Sequence, residues 1–90
     1  MTLQQINYVI TISEKGSFNK AAEALYVAQP SLTSSVKELE KELGIIIFNR
    51  SGKGVTLTAD GAEFLSHARQ LYAQYDIIMD NGKIRQRRFT

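Results

Sequence analysis

Between Ala24 and Lys37 the chain has no acidic residue, and that stretch gathers Gln29, Ser31, Thr33, Ser34 and Ser35. Short hydroxyl and amide side chains let a backbone approach a polyanion closely and donate to phosphates or to base edges. Serine and threonine add little to helix stability, so their density at a helix start asks for another reason. A helix N-terminus without acids carries partial positive charge, which suits phosphate. Groups for acid–base or nucleophilic chemistry do not converge. Acids return at Glu38, Glu40 and Glu42, whose steps of two fan them around a helix. His67 is the single histidine, and no catalytic set can be assembled around it. Gly52-Lys53-Gly54 lacks the spacing of a phosphate-binding loop. With no cysteine there is neither a disulfide framework nor a thiolate metal site. The expectation is therefore a binding protein, not an enzyme, with no catalytic residue, cofactor or metal.

Ordered elements must present those side chains. Thr2 and Gln5 have the types and spacing of a capping box, and Leu3, Ile6, Val9, Ile10 and Ser13 follow at helical spacing with Ile12 widening the stripe. Gly16 ends this helix. Ser17 can cap a second helix from Phe18 to Leu25, in which Ala21 and Ala22 allow close approach of a neighbour. Tyr26-Val27-Ala28 forms the turn. Pro30 suits a helix start, and Leu32, Val36, Leu39 and Leu43 give a third helix its buried face before Gly44 stops it. Ile45 to Arg50 and Val55 to Thr58 read as two extended segments around a Ser51–Gly54 turn. Thr58 can also cap a long last helix. There Phe64, Ala68, Leu71, Tyr75 and Ile78 alternate steps of four and three, with Leu65, Tyr72 and Met79 as a second row. Such 3.5-residue spacing fits a helix that pairs with another helix, and the natural partner is the same helix of a second copy.

The chain is therefore expected to be all-α with a small β-hairpin, a winged helix-turn-helix followed by a long dimerisation helix. Residues 1–57 form the head, 58–82 the linker or dimerisation helix broken at Asn81-Gly82, and 83–90 a basic tail. Ninety residues make one domain, and a chain so short buries only about 60% of its unfolded surface, so pairing would help it. The net charge is +2, and Lys83, Arg85, Arg87 and Arg88 supply four of eleven basic residues. Any surface for nucleic acid must then be a local patch. The tail reads as a solvated hinge in preference to an additional arm on DNA. No apolar run is long enough for a bilayer, and no signal peptide opens the chain, so no membrane role and a cytoplasmic setting are expected. Without a secretory signal, the Asn49-Arg50-Ser51 match to the glycosylation pattern is a coincidence.

The residues also carry a resemblance. Leu3 with the first-helix pattern, Gly16-Ser17-Phe18, Ala21-Ala22, Leu25, Val27 and Gln29-Pro30-Ser31 fall in the order of the N-terminal region of LysR-type transcriptional regulators. Leu39-Glu40, Leu43-Gly44, Phe48-Asn49-Arg50, Gly54-Val55, Leu57-Thr58 and Gly61 continue it without gaps. The resemblance implies sequence-specific binding of double-stranded promoter DNA by a homodimer, on an inverted-repeat site. It implies Gln29, Pro30, Ser31, Thr33 and Ser34 in the major groove. Ser17, Lys37, Arg50 and Lys53 would lie near phosphates or the wing's minor-groove edge. Phe64, Leu65, Ala68, Leu71, Tyr72, Tyr75, Ile78 and Met79 would pair the linker helices. It also implies a separate effector domain beyond this chain, through which alone a small-molecule inducer would act, and higher oligomers of the longer protein.

Three positions depart from the family pattern. Ser34 stands where arginine is frequent, which should alter base preference at that step. Ala28 replaces a frequent serine and removes an N-cap hydroxyl worth about 1 kcal/mol. Ala59 stands where proline is common, with little expected effect. The rival reading is a dimerisation or docking module without specific DNA reading. Changing Gln29, Thr33 and Lys37 while leaving Leu71 and Tyr75 intact distinguishes the two.

Overall fold

A computed structural model describes residues 1–80. The chain forms α1 (Leu3–Lys15), α2 (Phe18–Leu25), α3 (Gln29–Leu43), β1 (Phe48–Ser51), β2 (Gly54–Leu57) and α4 (Ala59–Met79). The predicted caps of three helices form. The Thr2 hydroxyl accepts from the Gln5 N–H at 3.0 Å, while the Gln5 side chain accepts from the Thr2 N–H at 2.9 Å. Ser17 accepts from the Lys20 N–H at 3.2 Å, and Thr58 accepts from the Gly61 N–H at 2.8 Å. Ala28 starts α3 without a side-chain cap, with Pro30 in the first turn. Gly16 and Gly44 close α1 and α3 in the left-handed conformation. Tyr26 closes α2 in that conformation too, at φ 57°, without being a glycine.

The core joins all three head helices to the hairpin. Val9, Ile12, Ala21, Leu32, Leu39 and Ile47 are fully buried. Each large aliphatic among them contributes about 1.5–3 kcal/mol relative to exposure. Leu3 and Leu43, at the ends of their stripes, are partly exposed, whereas Tyr8, outside the expected α1 stripe, is buried.

The hairpin is shorter than its β-branched sequence predicts. Strands β1 and β2 pair antiparallel in the register Phe48↔Leu57 to Ser51↔Gly54. Residues 45–47 stay out of the ladder because their backbone groups are engaged elsewhere. The Ile47 N–H donates to Glu40 Oε2 at 2.7 Å, and its carbonyl accepts from the Thr58 N–H at 3.0 Å. The Phe48 N–H reaches the same Glu40 oxygen at 3.4 Å. Thr58, expected to end the second strand, instead donates its hydroxyl to the Ile46 carbonyl as it caps α4. The Asn81-Gly82 break and the tail with Lys83, Arg85, Arg87 and Arg88 lie outside the described residues.

Candidate nucleic-acid interface

The turn between α2 and α3 is held by backbone hydrogen bonds. Val27 N–H donates to the Ala22 carbonyl at 3.1 Å, and Tyr26 N–H to the Glu23 carbonyl at 3.3 Å. Val27 packs against the core, whereas Tyr26 is 95% exposed. From there α3 buries Leu32, Val36 and Leu39 and turns Pro30, Ser31, Ser34 and Lys37 to solvent. Gln29, Thr33 and Ser35 are half-buried at the margins. Ser35, expected on the open face, lies toward α1 instead: its carbonyl accepts from Gln5 Nε2 at 3.2 Å, which fixes the two helices in register. The first turn of α3 has no acid.

The wing meets α3 through Arg50. Its guanidinium carbon lies 3.7 Å from the centroid of the Phe18 ring. Its Nη2 donates to Thr33 Oγ1 at 3.1 Å, and Gln29 Nε2 donates to the same oxygen at 3.2 Å. Phe18 is itself held edge-on by Phe48, with ring centroids 5.7 Å apart and planes at 78°. The expected site residues Gln29, Thr33 and Arg50 thus form one connected group, with Phe18 as its platform. Phe18 is not among the expected site residues, because its contact with Arg50 depends on the wing folding back over α2.

Lys53 projects from the hairpin tip, where its N–H donates to Ser51 Oγ at 3.3 Å and its side chain is exposed. The wing is tied to the α1–α2 corner by the Val55 N–H, which donates to the Gly16 carbonyl at 3.3 Å. Ser17 follows that carbonyl directly, with its oxygen engaged in the α2 cap. Lys37 lies on the exposed side of α3, lining a groove shared with Thr33, Phe48 and Arg50.

On α4 the expected seam divides. Leu65 and Ala68, assigned to an interchain contact, are buried by their own chain, Leu65 within the head core. A seven-residue repeat does not distinguish packing on the head from packing on a second chain, and the first turns of α4 lie on the head. Phe64, Tyr72 and Tyr75 are half-buried, and Leu71, Ile78 and Met79 are exposed together with Ile77. Tyr72 and Tyr75 have ring centroids 5.5 Å apart and border a hollow with Leu3, Gln4 and Asn7. Burial pushes the Tyr72 phenol above its ordinary pKa, with the Asp76 carboxylate and then Tyr75 adding to the shift. His67 is exposed on α4. Among the described residues no group of three histidine or acidic side chains is placed to hold a metal ion. No helix among them is long and apolar enough to cross a membrane.

Residues 3–62 match the family model described as bacterial regulatory helix-turn-helix protein, lysR family. The HTH-type transcriptional regulator TfdT of Cupriavidus pinatubonensis is 41% identical over 73 residues, which cover 81% of this chain and 32% of that protein. The chain spans about a quarter to a third of the length of the curated relatives it matches first. Among solved structures, the CbnR DNA-binding domain in complex with DNA superposes with a TM-score of 0.86 at 34% identity, covering 96% of this chain and 99% of that one. The BenM DNA-binding domain with catB site 1 DNA gives a TM-score of 0.86 at 35% identity, covering 92% and 93%.

Proposed function

The chain belongs to the LysR family of bacterial regulatory helix-turn-helix proteins, and from that premise we propose that it is the DNA-binding part of a transcriptional regulator. Two copies hold an imperfect inverted repeat in promoter DNA, each laying the start of α3 in a major groove. The observation that carries this reading is the α3 surface itself. Its first two turns, free of acids, present Pro30, Ser31 and Ser34 outward, with Gln29 and Thr33 at the margin, beside a wing that ends in Lys53.

Within this reading Ser17, Lys37 and Lys53 face phosphates, and Arg50 stands at the junction of wing and groove. Residues 1–57 act as the reading head. Residues 58–82 pair the two copies through the exposed Leu71, Ile77, Ile78 and Met79 with Tyr72 and Tyr75 beside them, and 83–90 lead on toward an effector domain. The relatives TfdT and ClcR are transcriptional regulators, which supports a role without catalysis. A cytoplasmic setting, where promoter DNA is found, goes with it.

Selection of bound duplexes from a random pool at moderate salt tests the proposal. Enrichment of a two-fold-symmetric site is the expected result. Retention without enrichment reduces the function to backbone binding. No retention favours a docking module whose active part is α4.

A further inference from the structure

Thr11 and Thr33 use their hydroxyls in opposite ways. Thr11 donates to the Asn7 carbonyl at 2.8 Å, the usual back-bond of a helical threonine. Thr33 Oγ1 instead accepts twice, from Arg50 Nη2 at 3.1 Å and from Gln29 Nε2 at 3.2 Å. A hydroxyl has two lone pairs and one proton. With both lone pairs occupied, what Thr33 has left to offer is its proton, and among the described residues nothing accepts it. The remaining tetrahedral direction of the oxygen points away from both donors.

Arg50 is well suited to impose this state. The Phe18 ring fixes the plane of its guanidinium at 3.7 Å, and Phe48 fixes that ring edge-on. The fork therefore reaches Thr33 from a stacked position and not as a loose surface cation.

We propose that Arg50 is a positioning residue that holds the Thr33 hydroxyl as an obligate hydrogen-bond donor, so that Thr33 rejects cytosine at one step of each half-site. This rests on the DNA reading proposed above. In the major groove guanine offers N7 and O6, adenine N7 and thymine O4 as acceptors, whereas cytosine offers only its N4 donor. A hydroxyl that can only donate meets three bases favourably and leaves the fourth with two donors opposed. One neutral hydrogen bond corresponds to roughly three- to tenfold discrimination.

The test compares base preferences of the unchanged chain with Arg50→Lys, Thr33→Val and Thr33→Ser, by sequencing of selected duplexes and by binding at several salt concentrations. Arg50→Lys keeps the charge and removes the planar fork. The expected result is a cytosine-poor step in the unchanged chain, lost in Thr33→Val, kept in Thr33→Ser and weakened in Arg50→Lys, with the salt slope of Arg50→Lys unchanged. Weakening of all sequences alike by Arg50→Lys, or a cytosine-poor step of full strength in that variant, overturns the inference. A symmetric site without any cytosine-poor step overturns it while leaving the DNA reading in place. Failure of the unchanged chain to retain any duplex overturns both.

Discussion

Gly61 lies directly on the Ile47 carbonyl: a Cβ added at Gly61 would stand 2.0 Å from that oxygen and 2.8 Å from its carbon. This contact docks the first turn of α4 on the segment that leads into the wing, next to the bonds made by Thr58. On helix propensity alone, alanine at position 61 would stabilise the chain by about 1 kcal/mol. The backbone contact reverses the sign. Gly61→Ala should cost about 3 kcal/mol or more, since neither main chain can yield as a side chain would. Urea denaturation reads this directly, and an unchanged or raised midpoint would contradict the close approach.

Tyr26 holds a left-handed conformation, which costs a non-glycine residue about 1–2 kcal/mol, while its 95% exposed side chain gives little back through burial. Tyr26→Gly relieves the strain and adds about 0.5–1 kcal/mol of unfolded-state entropy against it. A net gain of about 0.5–1 kcal/mol is expected, seen as a higher thermal midpoint. A lower midpoint would mean that the phenol makes a stabilising contact.

Glu40 accepts from two successive amides, those of Ile47 and Phe48, and so couples the end of α3 to the start of the wing. Bonds to a charged acceptor are worth about 1.5–3 kcal/mol. Glu40→Ala should lose that much, and Glu40→Gln about 1 kcal/mol, with faster hydrogen exchange at the amides of residues 47 and 48. Unaltered exchange at both amides in Glu40→Ala would rule out this role.

Ser34 faces solvent on the exposed side of α3, one helical turn from Pro30 and Ser31. Arginine there can reach a guanine in bidentate fashion, worth about 1–3 kcal/mol of discrimination. Ser34→Arg should therefore create or sharpen a guanine preference at one step of each half-site. Selected sequences identical to those of the unchanged chain would show that position 34 does not face a base.

Local chemistry was legible from the residues, and tertiary chemistry was not. Thr2, Ser17 and Thr58 declare themselves as caps because the capping bond closes within a few residues of each. The apolar period of α3 marks Leu32, Val36 and Leu39 correctly for the same reason. The Ile45-Ile46-Ile47 run misleads because β-propensity reports a preference for extended backbone and not for a ladder partner. Its amide and carbonyl belong to Glu40 and Thr58, on two other elements. The left-handed turn at Tyr26 hides because no glycine marks it. Of the site, the exposed positions of α3 could be read off its stripe. The contact of Arg50 with Phe18 and Thr33 could not, since it joins residues from three elements that meet only after folding.

The far part of α4 gives the molecule a dependence on its own abundance. Leu71, Ile77, Ile78 and Met79 are 44–60% exposed within a single chain. In the homodimer proposed above, covering them adds a mass-action contribution to stability, so each tenfold dilution removes about 1.4 kcal/mol per pair. The amount of protein in the cell then sets two quantities together: how much of the operator is occupied and how much of the chain is assembled to occupy it. On that proposal, occupancy of a two-half-site operator by a chain that pairs only as it accumulates rises more steeply than first order, a threshold built into the pairing of the reading unit itself.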